Sequence, residues 1–181
     1  MADGGPSRKS AARSSGLRLE ADVVRHGAAW RQAGVTAAML ERAARAAFTA
    51  APPARQGTYA VTIVLTDDEE MRALNRTWRG KDAPTNVLSF PASDAVSEAG
   101  LIGDVVLAYE ATHKEARDER LVLADHVSHL VVHGVLHLLG FDHEKDEEAE
   151  QMEDLERTAL ASLGIADPYA EREARAAEVS P

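Results

Sequence analysis

Residues 133–143 read His-Gly-Val-Leu-His-Leu-Leu-Gly-Phe-Asp-His, and this stretch constrains the chain more than any other. His133 and His137 are four apart, which puts both on one face of a helix, one turn apart. Gly140 follows three residues later. It can end that helix by entering the left-handed conformation, where other residues meet a Cβ clash. The chain can then turn back and bring His143 beside the first pair. Three neutral imidazoles on one ion leave a fourth position open, as a catalytic zinc does and a structural one does not. A water there has its pKa lowered toward 7. The sequence has no cysteine, so the ligands must be His, Asp or Glu.

The motif departs from the helical zinc-protease pattern H-E-x-x-H, in which the Glu is the general base. Gly134 stands in that place, so either a metal-bound hydroxide works alone, or a base comes from elsewhere, or the substrate helps. His129 lies one turn before His133, where it can orient a ligand, act as an acid or touch substrate. The plainer reading is a half-buried histidine bonded to a carbonyl. His126, seven before His133, reads as an ordinary core histidine. Asp142 can accept from an imidazole as a partner behind the metal ligands, or it is simply a turn residue.

The rest of the chain supplies a frame for this helix. Residues 1–16 are small and polar, lack the apolar run of a signal peptide, and read as a disordered leader. Alternation over 17–24 predicts a strand. Thr36 is the expected N-cap of a helix reaching residue 50, with Val35 and Leu40 placed as a hydrophobic staple. Residues 59–65 are rich in β-branched side chains and predict a buried strand. A capping box at 66–69 then opens a helix over 67–78, with Met71, Leu74 and Trp78 at helical spacing. Strands are expected at 87–90 and 102–109, joined by a polar connection over 93–100. Helices are expected over 111–120, 121–139 and 146–163, the last acidic and amphipathic with Met152, Leu155, Ala159, Leu160 and Leu163 inward. The order predicts an α+β fold: a small mixed β-sheet covered by helices, with the helix of His133 and His137 at its centre. One catalytic domain is expected over 17–165, with 166–181 as a loose tail.

No segment approaches the ~18 consecutive apolar residues of a membrane span, and a cytoplasmic protein is expected. The net charge of −10 speaks at first against nucleic acid. However, nine acids and a single lysine fall between Asp142 and Glu156, so the charge is concentrated and a basic face elsewhere stays open. The acidic block is expected to face away from any polyanion.

A second stretch, residues 79–91, reads Arg-Gly-Lys-Asp-Ala-Pro-Thr-Asn-Val-Leu-Ser-Phe-Pro. With Arg76 just before it, it gathers Arg76, Arg79 and Lys81 around a glycine, and Ser89 on a short strand. Guanidinium groups bind phosphate bidentately and neutralise charge developing on it. Together with residues 133–143 and the Leu-Ile-Gly-Asp-Val of 101–105, this stretch resembles the YbeY family of bacterial ribosomal RNA maturation factors. The likeness runs from about residue 59 to 163. It implies a compact α+β fold and a metal-dependent, single-strand-specific endoribonuclease, acting in 3′-end maturation of small-subunit ribosomal RNA and in ribosome quality control. It implies one Zn²⁺ per chain on His133, His137 and His143, and a functional role for Arg79. The partners implied are ribosomal RNA and the small ribosomal subunit, with ribosomal proteins and an assembly GTPase. The candidate catalytic residues are Arg79, His129 and Asp142, and the candidate substrate contacts are Arg76, Arg79, Lys81 and Ser89. Two other readings stay open at this point: a zinc hydrolase of peptides or small substrates, and a non-catalytic ribosome-assembly factor with a structural metal.

Overall fold

The computed structural model of the chain describes residues 16–93, 100–143 and 145–170. Residues 1–15 of the expected leader, residues 94–99 of the polar connection and residues 171–181 of the expected tail lie outside the described residues. The elements run β1 (Arg18–Arg25), α1 (Ala29–Gln32), α2 (Ala37–Ala50), β2 (Thr58–Thr66), α3 (Asp68–Arg79), β3 (Val87–Pro91), β4 (Leu101–Ala108), α4 (Tyr109–Asp118), α5 (Leu123–Leu138) and α6 (Asp146–Ser162). The strand order is β1-β2-β4-β3. The first three of these neighbours are parallel, and β3 closes one edge antiparallel to β4. The chain thus forms the expected α+β architecture with a mixed sheet.

Alternation along the strands divides the core. On one face Val61, Ile63, Leu65, Val105 and Leu107 pack with Leu40, Ala44, Phe48, Val131 and Val135 of α2 and α5. On the other, Leu88, Val106 and Ala108 form a smaller cluster with Met71 of α3. Helix α5 touches α2, α4, α6, β3 and β4, which makes it the central helix that its apolar sequence predicts. It approaches the sheet closely at Gly134. A Cβ on that residue would lie 2.6 Å from Val105 Cγ1 and 3.1 Å from Ser89 Oγ. The missing protease glutamate is therefore also sterically excluded, because position 134 points into the sheet.

Several expectations shift for identifiable reasons. Thr36 caps α2 as expected, accepting from Met39 N–H at 3.2 Å, and both Val35 and Leu40 are buried. The cap of α3 moves from Thr66 to Asp67, whose Oδ1 accepts from Glu70 N–H at 2.9 Å. Thr66 is still paired in the sheet opposite Ala108, and its buried hydroxyl donates to the Glu70 carboxylate. Helix α4 starts at Tyr109, directly from β4. Its Ala111 N–H donates to Asp68 of α3 at 3.0 Å, so a neighbouring helix supplies the cap. The apolar stripe of α3 outruns the sheet: Met71 is buried, Leu74 half-buried and Trp78 68% exposed. The short helix α1 has no counterpart in the expected elements. Among the described residues no single helix is long and apolar enough to cross a membrane.

Because Val105 is fully buried and β-branched, it cannot yield to a side chain at position 134. Gly134→Ala should cost about 1–3 kcal/mol, read as a lower urea midpoint at unchanged m-value. An unshifted midpoint would show that α5 does not rest on the sheet as described.

Candidate metal centre

Helix α5 carries His133 and His137 in its last two turns, and Gly140 (φ 95°) reverses the chain behind them. Gly140 N–H donates to His137 O at 3.0 Å and Phe141 N–H to Leu136 O at 3.1 Å. These two bonds satisfy orphan carbonyls at the helix end and fix the angle at which residues 141–143 return. His143 thereby comes beside the helical pair. One ring nitrogen from each histidine can be chosen so that all three lie within 4.8 Å of one another. The Nε2 atoms of His133 and His137 face each other at 3.1 Å. Two nitrogens on one tetrahedral zinc stand roughly 3.3 Å apart, so the pair is already at ligand spacing.

The other ring nitrogens are engaged in a way that favours ligation. His133 Nδ1–H donates to Glu156 Oε1 at 2.7 Å, and His137 Nδ1–H donates to Phe141 O at 2.9 Å. With Nδ1 protonated, each Nε2 turns its lone pair to the centre. Burial, and then the neighbouring His133 and His143, hold the His137 imidazole below its ordinary pKa, which favours the neutral form that binds metal.

Glu156, on α6, is 1% exposed. Its Oε2 accepts from His129 Nε2–H at 3.0 Å and from the Tyr169 phenol. Burial pushes this carboxyl up, but the hydrogen bonds from His129 and His133 outweigh it and hold it at about 2. It is a carboxylate at neutral pH, and it braces the back of the His133 ring. The three clustered histidines open onto a cavity of about 490 Å³ whose walls also include Arg79, Ser89 and Asp142.

The family model for Endoribonuclease YbeY matches residues 29–164 of this chain. The chain belongs to the YbeY endoribonuclease family. It is 58% identical over 122 residues to the endoribonuclease YbeY of Paramagnetospirillum magneticum, covering 64% of this chain and 74% of that protein. It is 46% identical over 179 residues to the Parvibaculum lavamentivorans protein of the same name, covering 92% and 95%. The fold is shared with TM1509 from Thermotoga maritima, known from its solution structure. The TM-score is 0.50 at 20% identity, covering 89% of this chain and 97% of that one.

Within this YbeY fold the remaining candidate residues separate. Arg79 is the last helical residue of α3, just before the left-handed Gly80 (φ 69°), and lines the cavity. Ser89 also lines it, but its hydroxyl donates to Gly134 O at 3.1 Å and so ties β3 to α5. Arg76 and Lys81, expected as substrate contacts, are not among the lining residues. Arg76 lies 3.7 Å from Asp82, which Arg72 grips with two bonds of 2.8 Å. His129 does not line the cavity either, and its Nε2–H is committed to Glu156. Asp142 lines it, yet its Oδ1 accepts from His143 N–H at 2.8 Å, so it braces the returning backbone and not an imidazole.

The carboxylate that orients an imidazole is Glu156, which the sequence reading placed in an outward acidic block. The signal was its position, four after Met152 and four before Leu160, on the buried stripe of α6. Residues 166–170, read as the start of a loose tail, include Tyr169, which bonds Glu156 and meets His129 edge-on at 5.9 Å. His126 is a core histidine as expected, its Nε2–H donating to Glu115 at 3.0 Å.

Removing the buried acceptor frees the His133 ring to rotate. Glu156→Ala should weaken metal binding by about 10–100-fold in competition with a chelator, with Glu156→Gln in between. Unchanged affinity in the alanine variant would mean that the bond to His133 does not position the ligand.

Proposed function

We propose that the chain is a zinc-dependent endoribonuclease that cleaves single-stranded ribosomal RNA, in 3′-end maturation of the small-subunit RNA and in ribosome quality control. One observation carries this reading: three convergent imidazoles and the guanidinium-bearing Arg79 line the same open cavity. His133, His137 and His143 would hold one zinc, which when bound supplies Lewis acidity toward a phosphoryl oxygen.

The chain's own groups take the other parts. Arg79 is exposed and has no ion pair among the described residues, so it is available to bind a phosphate bidentately and to offset charge developing on it. Asp142 is a carboxylate on the cavity wall, which supports a role for it as acceptor of the nucleophile's proton. Glu156 and Phe141 O hold the two helical imidazoles in register, so little reorganisation is needed when substrate arrives. The exposed acids of α6, Glu147, Glu150 and Asp154, do not line the cavity.

Position 134 weighs against a peptidase, because the helical base of such enzymes would fall where α5 meets Val105. The YbeY relatives are named as endoribonucleases, which weighs against a purely structural metal. On this reading the protein works in the cytoplasm on the small ribosomal subunit, with ribosomal proteins and an assembly GTPase as partners.

Purified metal-loaded protein should cleave single-stranded RNA, and chelation or the pair His133→Ala and His137→Ala should abolish cleavage. Arg79→Ala should lower kcat/KM by about 10²–10³-fold, and Arg79→Lys should recover only part, since a point charge cannot reproduce the guanidinium fork. Equal cleavage by the double histidine variant would trace the activity to a contaminating nuclease and overturn the assignment.

A further inference from the structure

The chain has two tryptophans, and they occupy opposite environments. Trp30 is 1% exposed, while Trp78 is 68% exposed at the last turn of α3. Trp78 sits at i+7 from Met71 on an otherwise inward stripe, so this large ring continues an apolar face that nothing among the described residues covers. Exposing such a ring departs from the local pattern, and departures of this kind concentrate at functional sites.

Trp78 lies beside an aromatic ring and in a basic stretch of the chain. Its ring meets Phe90 of β3 edge-on, with centroids 6.0 Å apart. Phe90 in turn is packed on the small core of Met71, Leu88 and Val106. The chain after it is pinned back to α3: Lys81 N–H donates to Asn75 O at 3.3 Å, and Asn75 Nδ2–H donates to Ala83 O at 2.7 Å. Arg79 and Lys81 follow Trp78 in the chain and make no ion pair among the described residues, whereas Arg72 and Arg76 share Asp82.

The metal cavity lies just across the edge strand. Ser89 and Pro91 of β3 line it, while Phe90, between them, faces Trp78. Arg79, the residue after Trp78, reaches the cavity.

We propose that Trp78 is a stacking platform for an unpaired nucleobase next to the phosphate held by Arg79. The proposal rests on the RNA reading above. Surfaces that bind single strands combine cations along the backbone with an aromatic face for the base, and both are adjacent here. A base inside a duplex is already stacked on both sides and cannot offer its face, so the platform selects single-stranded RNA.

Tryptophan fluorescence tests this directly, because the exposed indole is Trp78 and the buried Trp30 is the internal control. The full-length, metal-loaded protein is mixed with a short single-stranded RNA, and emission is followed before cleavage sets in. The expected result is quenching of the exposed indole that saturates with RNA. Trp78→Ala should lose this signal and raise KM roughly 5–100-fold with kcat largely kept, and Trp78→Phe should recover much of the binding. Duplex RNA should give little quenching. If the alanine variant binds and cleaves single strands with unchanged KM, the platform is wrong while the nuclease assignment stands. If neither protein binds or cleaves RNA, the RNA reading fails and the platform falls with it.

Discussion

At Gly134 the backbone of α5 lies against Val105 of the sheet, and the positions of the metal-site side chains follow from that contact. The absent side chain lets the helix sit low on the β3–β4 edge. His133 is the next residue back, and its side chain turns away from the sheet toward α6. His137 is one turn on, and the turn at Gly140 returns His143 to both. The same contact brings the Ser89 hydroxyl to Gly134 O, which fixes the edge strand relative to the histidines. Arg79 then enters from α3 on the far side of that strand. The site is a corner between one helix end, one sheet edge and one returning loop, and its parts come from segments far apart in the chain.

A buried carboxylate beneath such a corner is costly unless its oxygens are satisfied. Glu156 accepts from His129, His133 and Tyr169, and so meets that condition. The arrangement links α5, α6 and the segment after α6 into one polar network directly behind the His133 imidazole. One acid points inward and is fully engaged, while Glu147, Glu150 and Asp154 stay in solvent. Three clustered imidazoles backed by one buried anion suit a divalent cation, and α6 contributes to the centre without lining the cavity.

Much of this was legible in the sequence because local rules and tertiary needs agreed. The i, i+4 histidines, the glycine stop and the third histidine gave the cluster. The β-branched runs and the apolar central helix gave the α+β frame. What escaped had no local signature. Glu156 is one of nine acids in a short block, and only its phase on the stripe of α6 sets it apart. Tyr169 belongs to a stretch without periodicity. The sequence put His129 and Asp142 near the cluster but could not give their partners: His129 bonds Glu156, and one oxygen of Asp142 accepts from the His143 backbone. The cap of α3 slipped one residue because the sheet kept Thr66 extended. Trp78 followed the helical period correctly, but the sheet ends before it does.

The central claim is that His133, His137 and His143 hold a metal ion. Metal content of protein purified without a histidine tag, by native mass spectrometry together with elemental analysis, tests it most directly. The account predicts one zinc per chain in the wild-type protein. It predicts none in a folded variant carrying His133→Ala and His137→Ala. A fully folded wild-type preparation without bound metal, or one whose metal survives both substitutions, would contradict it.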